Sequence, residues 1–162
     1  MKYKLVTLEE LTEIVDKARS DGKKIAWTNG CFDIFHAGHV DYLERSKAYG
    51  DVLIVGLNSD QSVKKNKGEF RPVFSEMDRA KVLCSIIYVD YVVLFSEPSP
   101  IITMEMLKPD FYIKGGDYTI DTINQDERRL VESYGGEIVL LPMVEGVSTS
   151  IIVEKIKKLS VL

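Results

Sequence analysis

The sequence is short of the residues that would open most other routes to function. Its 162 residues include two cysteines, Cys31 and Cys84, and no Cys-x-x-Cys pair. That does not build a disulfide framework; free thiols in a reducing compartment fit instead. There are two histidines, His36 and His39, and neither cysteine is spaced to complete a metal set with them. Basic residues are not in excess: 21 Lys and Arg against 25 Asp and Glu leave a net charge of -4. A duplex nucleic-acid binder is not expected, although a local basic patch still suits a phosphate ligand. No apolar run uninterrupted by glycine exceeds Tyr91–Phe95, far short of the ~18 residues a membrane span needs. Met1–Glu10 has no continuous apolar stretch of the kind a signal peptide carries. These absences lead us to expect a cytoplasmic protein with no membrane partner. No repeat, linker or low-complexity segment appears, so residues 1–162 are read as one domain, an N-terminal helix over 1–22 and a core over 24–158.

What is present is ordinary for a globular domain: 45% hydrophobic and 28% charged residues. Thr7 with Glu10 has the form of a capping box, and Leu8, Leu11, Ile14, Val15 and Ala18 follow at helical spacing. That face most simply packs on the chain's own sheet. Ile25–Thr28 reads as a short strand ending in Asn29-Gly30, and Gly38–Ala48 as a helix. Val52–Leu57 is an apolar run typical of a strand buried on both faces. The polar, lysine-rich stretch Asn58–Pro72 reads as a mobile loop. A helix from Ser75 to about Ile87 precedes a strand at Tyr91–Phe95. Ile101–Leu107 (helix), Phe111–Lys114 (strand), Asn124–Tyr134 (helix), Ile138–Leu141 (strand) and Ser150–Leu159 (helix) complete the chain. Strict alternation predicts an α/β domain with a parallel sheet and helices on both faces. Ligands of such sheets bind beyond the carboxyl ends of the strands, which is where the unusual residues fall.

The first such segment is Gly30-Cys31-Phe32-Asp33-Ile34-Phe35-His36-Ala37-Gly38-His39, between a strand and a helix. Glycines admit close approach of an anion, the helix start offers unpaired N–H groups, and two imidazoles can donate to phosphate oxygens. The competing reading makes His36 a helix cap and His39 a surface residue. The second is Lys64-Lys65-Asn66-Lys67-Gly68, with Arg71-Pro72 after it; such runs are usually solvated. The third is Asp78-Arg79, equally readable as an ordinary helix-start pair. The fourth, Lys114-Gly115-Gly116-Asp117-Tyr118, follows a strand. The fifth, Glu145-Gly146-Val147-Ser148-Thr149-Ser150, leads into the last helix, where Ser and Thr serve as caps or as anion ligands.

Gly30-x-Phe32-Asp33-x-x-His36-x-Gly38-His39 resembles the signature of the HxGH nucleotidyltransferases, the cytidylyltransferase-like superfamily. The resemblance runs from about Lys24 to Lys158. Within it, Lys114–Tyr118 is most similar to the adenylyltransferases that make ADP-activated heptose, and the glycerol-3-phosphate cytidylyltransferases come next. Met143 stands where the latter carry a basic residue, which agrees with the heptose group.

The resemblance implies a Rossmann-like domain that transfers AMP from ATP to D-glycero-β-D-manno-heptose 1-phosphate, releasing pyrophosphate by in-line attack. The alternatives are a CTP-using glycerol-3-phosphate enzyme and a nucleotide-binding module without turnover. It implies His36, His39 and Lys67 as catalytic residues, with Lys64 as the second choice of lysine. The nucleotide would be held by Gly30, Cys31, Phe32, Gly38, Lys64, Lys114, Gly115, Asp117, Tyr118, Gly146, Ser148, Thr149 and Ser150. Asp33, Arg71 and Arg79 would face the substrate, and Mg²⁺ would arrive with the nucleotide, without a metal site on the protein. It also implies a homodimer and a separate sugar kinase in the pathway.

Overall fold

The computed structural model describes residues 4–142 and 144–159. Met143, the position set against the cytidylyltransferases, lies outside the described residues. The described residues form five strands and seven helices, alternating except where α4 follows α3: α1 Leu8–Ser20, β1 Ile25–Gly30, α2 Ala37–Lys47, β2 Val52–Asn58, α3 Asp60–Lys67, α4 Glu76–Ser85, β3 Tyr91–Phe95, α5 Ile101–Leu107, β4 Phe111–Gly115, α6 Gln125–Ser133, β5 Glu137–Leu141 and α7 Thr149–Leu159. The strands form one parallel sheet in the order β3-β2-β1-β4-β5. After β3 the chain crosses to the far side of β1, so the strand order reverses between β1 and β4. That reversal opens a crevice at the carboxyl ends of these two strands.

Alternating side chains of the sheet feed two apolar layers. One face, with Ala26, Leu53 and Val55, packs on Leu43 of α2 and on Ala80 and Leu83 of α4. The other, with Ile25, Trp27 and Ile54, packs on Leu11 and Val15 of α1, Met104 and Leu107 of α5, and Val131 of α6. The apolar face of α1 thus covers the chain's own sheet. The capping box at Thr7 and Glu10 forms with both of its hydrogen bonds. Trp27 lies over Gly56: a Cβ there would sit 2.4 Å from the indole ring. The N-terminal segment lies against the outer edge of β3. Val6 N–H donates to Val92 O at 3.0 Å, and Val92 N–H to Lys4 O at 2.8 Å.

One element departs from expectation. The stretch read as a mobile loop, Asn58–Pro72, contains α3. Its composition hid the helix because a single apolar residue, Val63, carries the burial, together with Ser62. Polar groups do the rest: Ser59 Oγ accepts from Ser62 N–H at 3.2 Å, and Asn58 donates to Ser62 Oγ at 2.9 Å. Asp60 sits in the first turn and Lys64, Lys65 and Lys67 in the last, so each charge opposes the helix dipole.

Candidate active site

β1 ends in the middle of the sheet and its chain turns into α2 through a strained loop. Phe32 and Ile34 adopt φ of 47° and 50°, a conformation costly for any residue with a Cβ and more so for a β-branched one. The Asp33 carboxylate between them holds the loop. Its Oδ1 accepts from Ile34 N–H and Phe74 N–H, both at 3.1 Å; its Oδ2 accepts from Arg71 Nε at 2.7 Å and Val73 N–H at 2.8 Å. Burial raises the pKa of this carboxyl, but the Val73 and Phe74 amides and the Arg71 guanidinium outweigh burial and hold it below its ordinary value. The loop 31–36 and the strap 71–74 are therefore fastened to one another through one buried side chain.

His36 precedes α2 and His39 lies in its first turn, and their rings stack with centroids 3.9 Å apart at 23°. Gly38 leaves room for this: a Cβ there would meet the His36 ring at 3.0 Å. His36 N–H donates to His39 Nδ1 at 3.3 Å, which assigns the proton of a neutral His39 to Nε2. Phe35 and Phe32 flank the His39 ring at 5.1 and 5.4 Å. Burial, then the neighbouring His36 and Lys67, push His39 down to about 4, and burial also lowers His36. At neutral pH both rings are uncharged hydrogen-bond donors beside a helix N-terminus, a combination suited to an incoming polyanion.

The crevice has a volume of about 450 Å³. Gly30, Cys31, Phe32, His36, Gly38 and His39 line its centre. Lys67 at the end of α3 and Arg71 of the strap enter from the β2 side. Lys114, Gly115 and Tyr118 form the β4 wall, and Ser148, Thr149 and Ser150 close it at the start of α7. Ser148 Oγ accepts from Ile151 N–H at 3.2 Å, and Thr149 donates to Asp33 O at 3.4 Å. The structure does not bring Lys64, Asp117 or Gly146 to the lining. No helix among the described residues is long and apolar enough to cross a membrane.

Two residues expected to face substrate are turned to the scaffold. The Arg79 guanidinium is buried and donates to Phe74 O, Cys31 O, Asn58 O and Asp60 Oδ1 at 2.7–3.0 Å. All three of its nitrogens are engaged, so it ties the ends of β1 and β2 to α4. Asp33 reaches the crevice wall, but both of its oxygens are occupied as described. Six lining residues fall outside the predicted set: Asn29, Tyr42, Arg45, Pro142, Val144 and Val147. His39, Tyr42 and Arg45 recur every three residues along α2, a stripe legible in the sequence. Tyr42 OH lies 2.6 Å from Thr28 Oγ1 and donates to Ile113 O at 3.1 Å. Burial pushes its phenol up to about 12, and its ring sits where a Cβ on Gly115 would come within 2.6 Å.

Residues 27–155 match the family described as Cytidylyltransferase-like. The chain belongs to that family. Its activity is that of a nucleotidyltransferase. Among curated relatives, the bifunctional protein HldE of Geobacter metallireducens is 48% identical over 153 residues, covering 94% of this chain and 31% of the relative. The bifunctional protein HldE of Helicobacter pylori is 48% identical over 155 residues, covering 96% and 31%. The chain thus spans about a third of the length of the curated relatives it matches, which gives no support to a separate kinase chain. A lipopolysaccharide core biosynthesis protein from Thermoplasma volcanium superposes with a TM-score of 0.61 at 29% identity, covering 76% of this chain and 98% of that one. A pantoate-beta-alanine ligase from Francisella tularensis gives a TM-score of 0.61 at 16% identity over 95% of this chain and 77% of its own. The latter speaks to the fold alone.

Proposed function

We propose that this nucleotidyltransferase moves AMP from ATP to D-glycero-β-D-manno-heptose 1-phosphate, giving ADP-heptose and pyrophosphate. The observation that carries the reading is the neutral, stacked His36–His39 pair at the start of α2, facing a crevice lined by Lys67, Arg71 and Lys114. The heptose acceptor is supported by the Lys114–Tyr118 segment and by the names of the HldE relatives and of the Thermoplasma protein.

An oxygen of the acceptor phosphate attacks the α-phosphorus in line. The new P–O bond forms as the bond to the β-phosphate oxygen breaks, and pyrophosphate leaves with that electron pair. His39 Nε2–H and His36 donate to the α-phosphate oxygens as charge gathers there. Lys67 neutralises the departing phosphates, and the Ser148–Ser150 turn and the α2 N-terminus bind them through N–H and hydroxyl groups. Arg71 takes the acceptor phosphate. Its Nε is fixed by Asp33, and its other two nitrogens have no partner among the described residues. Among those residues no His, Cys, Asp or Glu cluster is arranged for a metal, and the Asp33 oxygens are occupied. Mg²⁺ enters this proposal as part of the bound nucleotide, where it would neutralise the phosphates.

The second reading is a CTP-using glycerol-3-phosphate enzyme, favoured by the family's own description; a binding module without turnover is the third. A panel of ATP, CTP, GTP and UTP against heptose 1-phosphate, other sugar 1-phosphates and glycerol 3-phosphate, read by pyrophosphate release, separates them. ATP with heptose 1-phosphate should be the fastest pair. Preference for CTP with glycerol 3-phosphate replaces the reading, and no release from any pair leaves the binding module. The proposal also includes a cytoplasmic homodimer with its contact near α2 or the strand-end loops. Sedimentation at one chain mass, 18.3 kDa, refutes the dimer.

A further inference from the structure

Glu127 lies on α6, outside every motif described above, yet its carboxylate is buried, with 4% of the side chain exposed. Three side chains converge on it. Ser99, in the connector before α5, donates to Oε1 at 2.7 Å. The Tyr112 hydroxyl of β4 donates to Oε2. The Lys114 ammonium, two residues further along the same strand, stands 3.4 Å from Oε2 and 5.3 Å from the centre of the Tyr112 ring. Residues two apart on a strand share a face, so Tyr112 and Lys114 both turn toward α6.

The arrangement is mutual. A buried carboxylate is tolerable only when paired and hydrogen-bonded. Two neutral donors satisfy its lone pairs, and Lys114 balances its charge. In return a long, flexible side chain loses its freedom. Lys114 is 19% exposed on its side chain and lines the crevice. Lys67 differs: it is exposed and makes no hydrogen bond or ion pair among the described residues. One crevice lysine is free to move with its ligand, and the other is pinned.

We propose that Glu127 is a positioning residue: it fixes the Lys114 ammonium on the β4 wall as a preset donor to the bound nucleotide. This rests on the reading of the crevice as the nucleotide site. The contribution falls on nucleotide binding, because a donor fixed before the ligand arrives meets the ground state and the transition state alike.

Glu127→Gln keeps the shape and an acceptor for Tyr112 but removes the charge. One hydrogen bond between charged groups is worth about a tenfold change in affinity. Glu127→Gln should therefore raise the nucleotide KM about tenfold with kcat within about twofold, and Lys114→Met should do the same. The double variant should resemble Lys114→Met alone. Ser99→Ala keeps the ion pair and should stay within about twofold of the parent KM. Three results overturn the proposal: an unchanged KM in Glu127→Gln, effects that multiply in the double variant, or a Ser99→Ala variant as impaired as Glu127→Gln. A second arm needs no nucleotide. The acetylation rate of Lys114, read by mass spectrometry, should rise about tenfold in Glu127→Gln while that of Lys67 stays the same. An unchanged Lys114 rate in a folded Glu127→Gln protein refutes the tether. If the parent protein releases no pyrophosphate from any substrate pair, the proposed function fails while the labelling still decides this point.

Discussion

Replacing Asp33 with Asn should destabilise the protein out of proportion to one lost charge. The carboxylate is 1% exposed and accepts four hydrogen bonds, from Ile34, Phe74, Arg71 and Val73. An amide has one acceptor oxygen. Whichever way it turns, its NH₂ faces two N–H donors that had an oxygen before. Bonds to a charged group are worth about 1.5–3 kcal/mol each when lost in a buried setting. The Arg71 side chain is 24% exposed, so water compensates part of that partner's loss. The sum comes to about 3 kcal/mol. With a urea dependence of about 2 kcal/mol per molar for a domain of this size, the midpoint should fall by about 1.5 M. Arg71→Met should cost about 1 kcal/mol, because the Val73 and Phe74 amides still satisfy the carboxylate. Activity should fall in both, since Arg71 loses its aim or its charge. A midpoint shift below about 0.3 M for Asp33→Asn, or a larger shift for Arg71→Met than for Asp33→Asn, refutes the role given to this carboxylate.

His39→Ala should lower kcat by about 10²–10³ with little change in ATP affinity; near-normal turnover in both His36→Ala and His39→Ala refutes the mechanism. Lys67→Ala should fold normally by circular dichroism and lose activity strongly; parent-like rates, with the loss appearing in Lys64→Ala instead, would transfer the role. His39 is held at about 4 against an ordinary 6.5, so as pH falls below 6.5 the unfolded chain takes up a proton that the folded chain refuses until about 4. Stability from this group is complete above 6.5 and declines across that window; the urea midpoint should follow, and His39→Gln should flatten the slope. Gly56→Ala brings a methyl group within 2.4 Å of Trp27 and should cost about 1–3 kcal/mol. Emission from Trp27, the single tryptophan of the chain, should shift with it, and an unshifted spectrum with an unchanged midpoint refutes the packing.

The sheet was legible because each strand is a short apolar or β-branched run between turn residues, and burial on both faces leaves no other reading for Val52–Leu57. The crevice was legible in outline because its residues follow strands. α3 was not, since it is a helix held by capping serines and one valine, and a periodicity test sees apolar side chains only. The fate of Asp33, Arg79 and Glu127 could not be read either. A charged letter in a sequence does not name its partners in the fold: backbone amides and Arg71 for Asp33, carbonyls and Asp60 for Arg79, and the side chains of Ser99, Tyr112 and Lys114 for Glu127. The stripe His39, Tyr42, Arg45 is readable in the sequence too, since residues three apart share a helix face, but it extends past the signature that ends at His39.

Lys4–Val6 lie along β3 and occupy both hydrogen-bonding groups of Val92. The opposite border of the sheet, β5, has no strand partner among the described residues, and it runs into Pro142, which has no N–H to offer. A sheet grows without limit only if it can accept a strand on each side. Here one border carries the short Lys4–Val6 segment and the other is five residues long. Among the described residues the longer free border is β5, and pairing of β5 with β5 between two copies closes on itself as a two-fold pair.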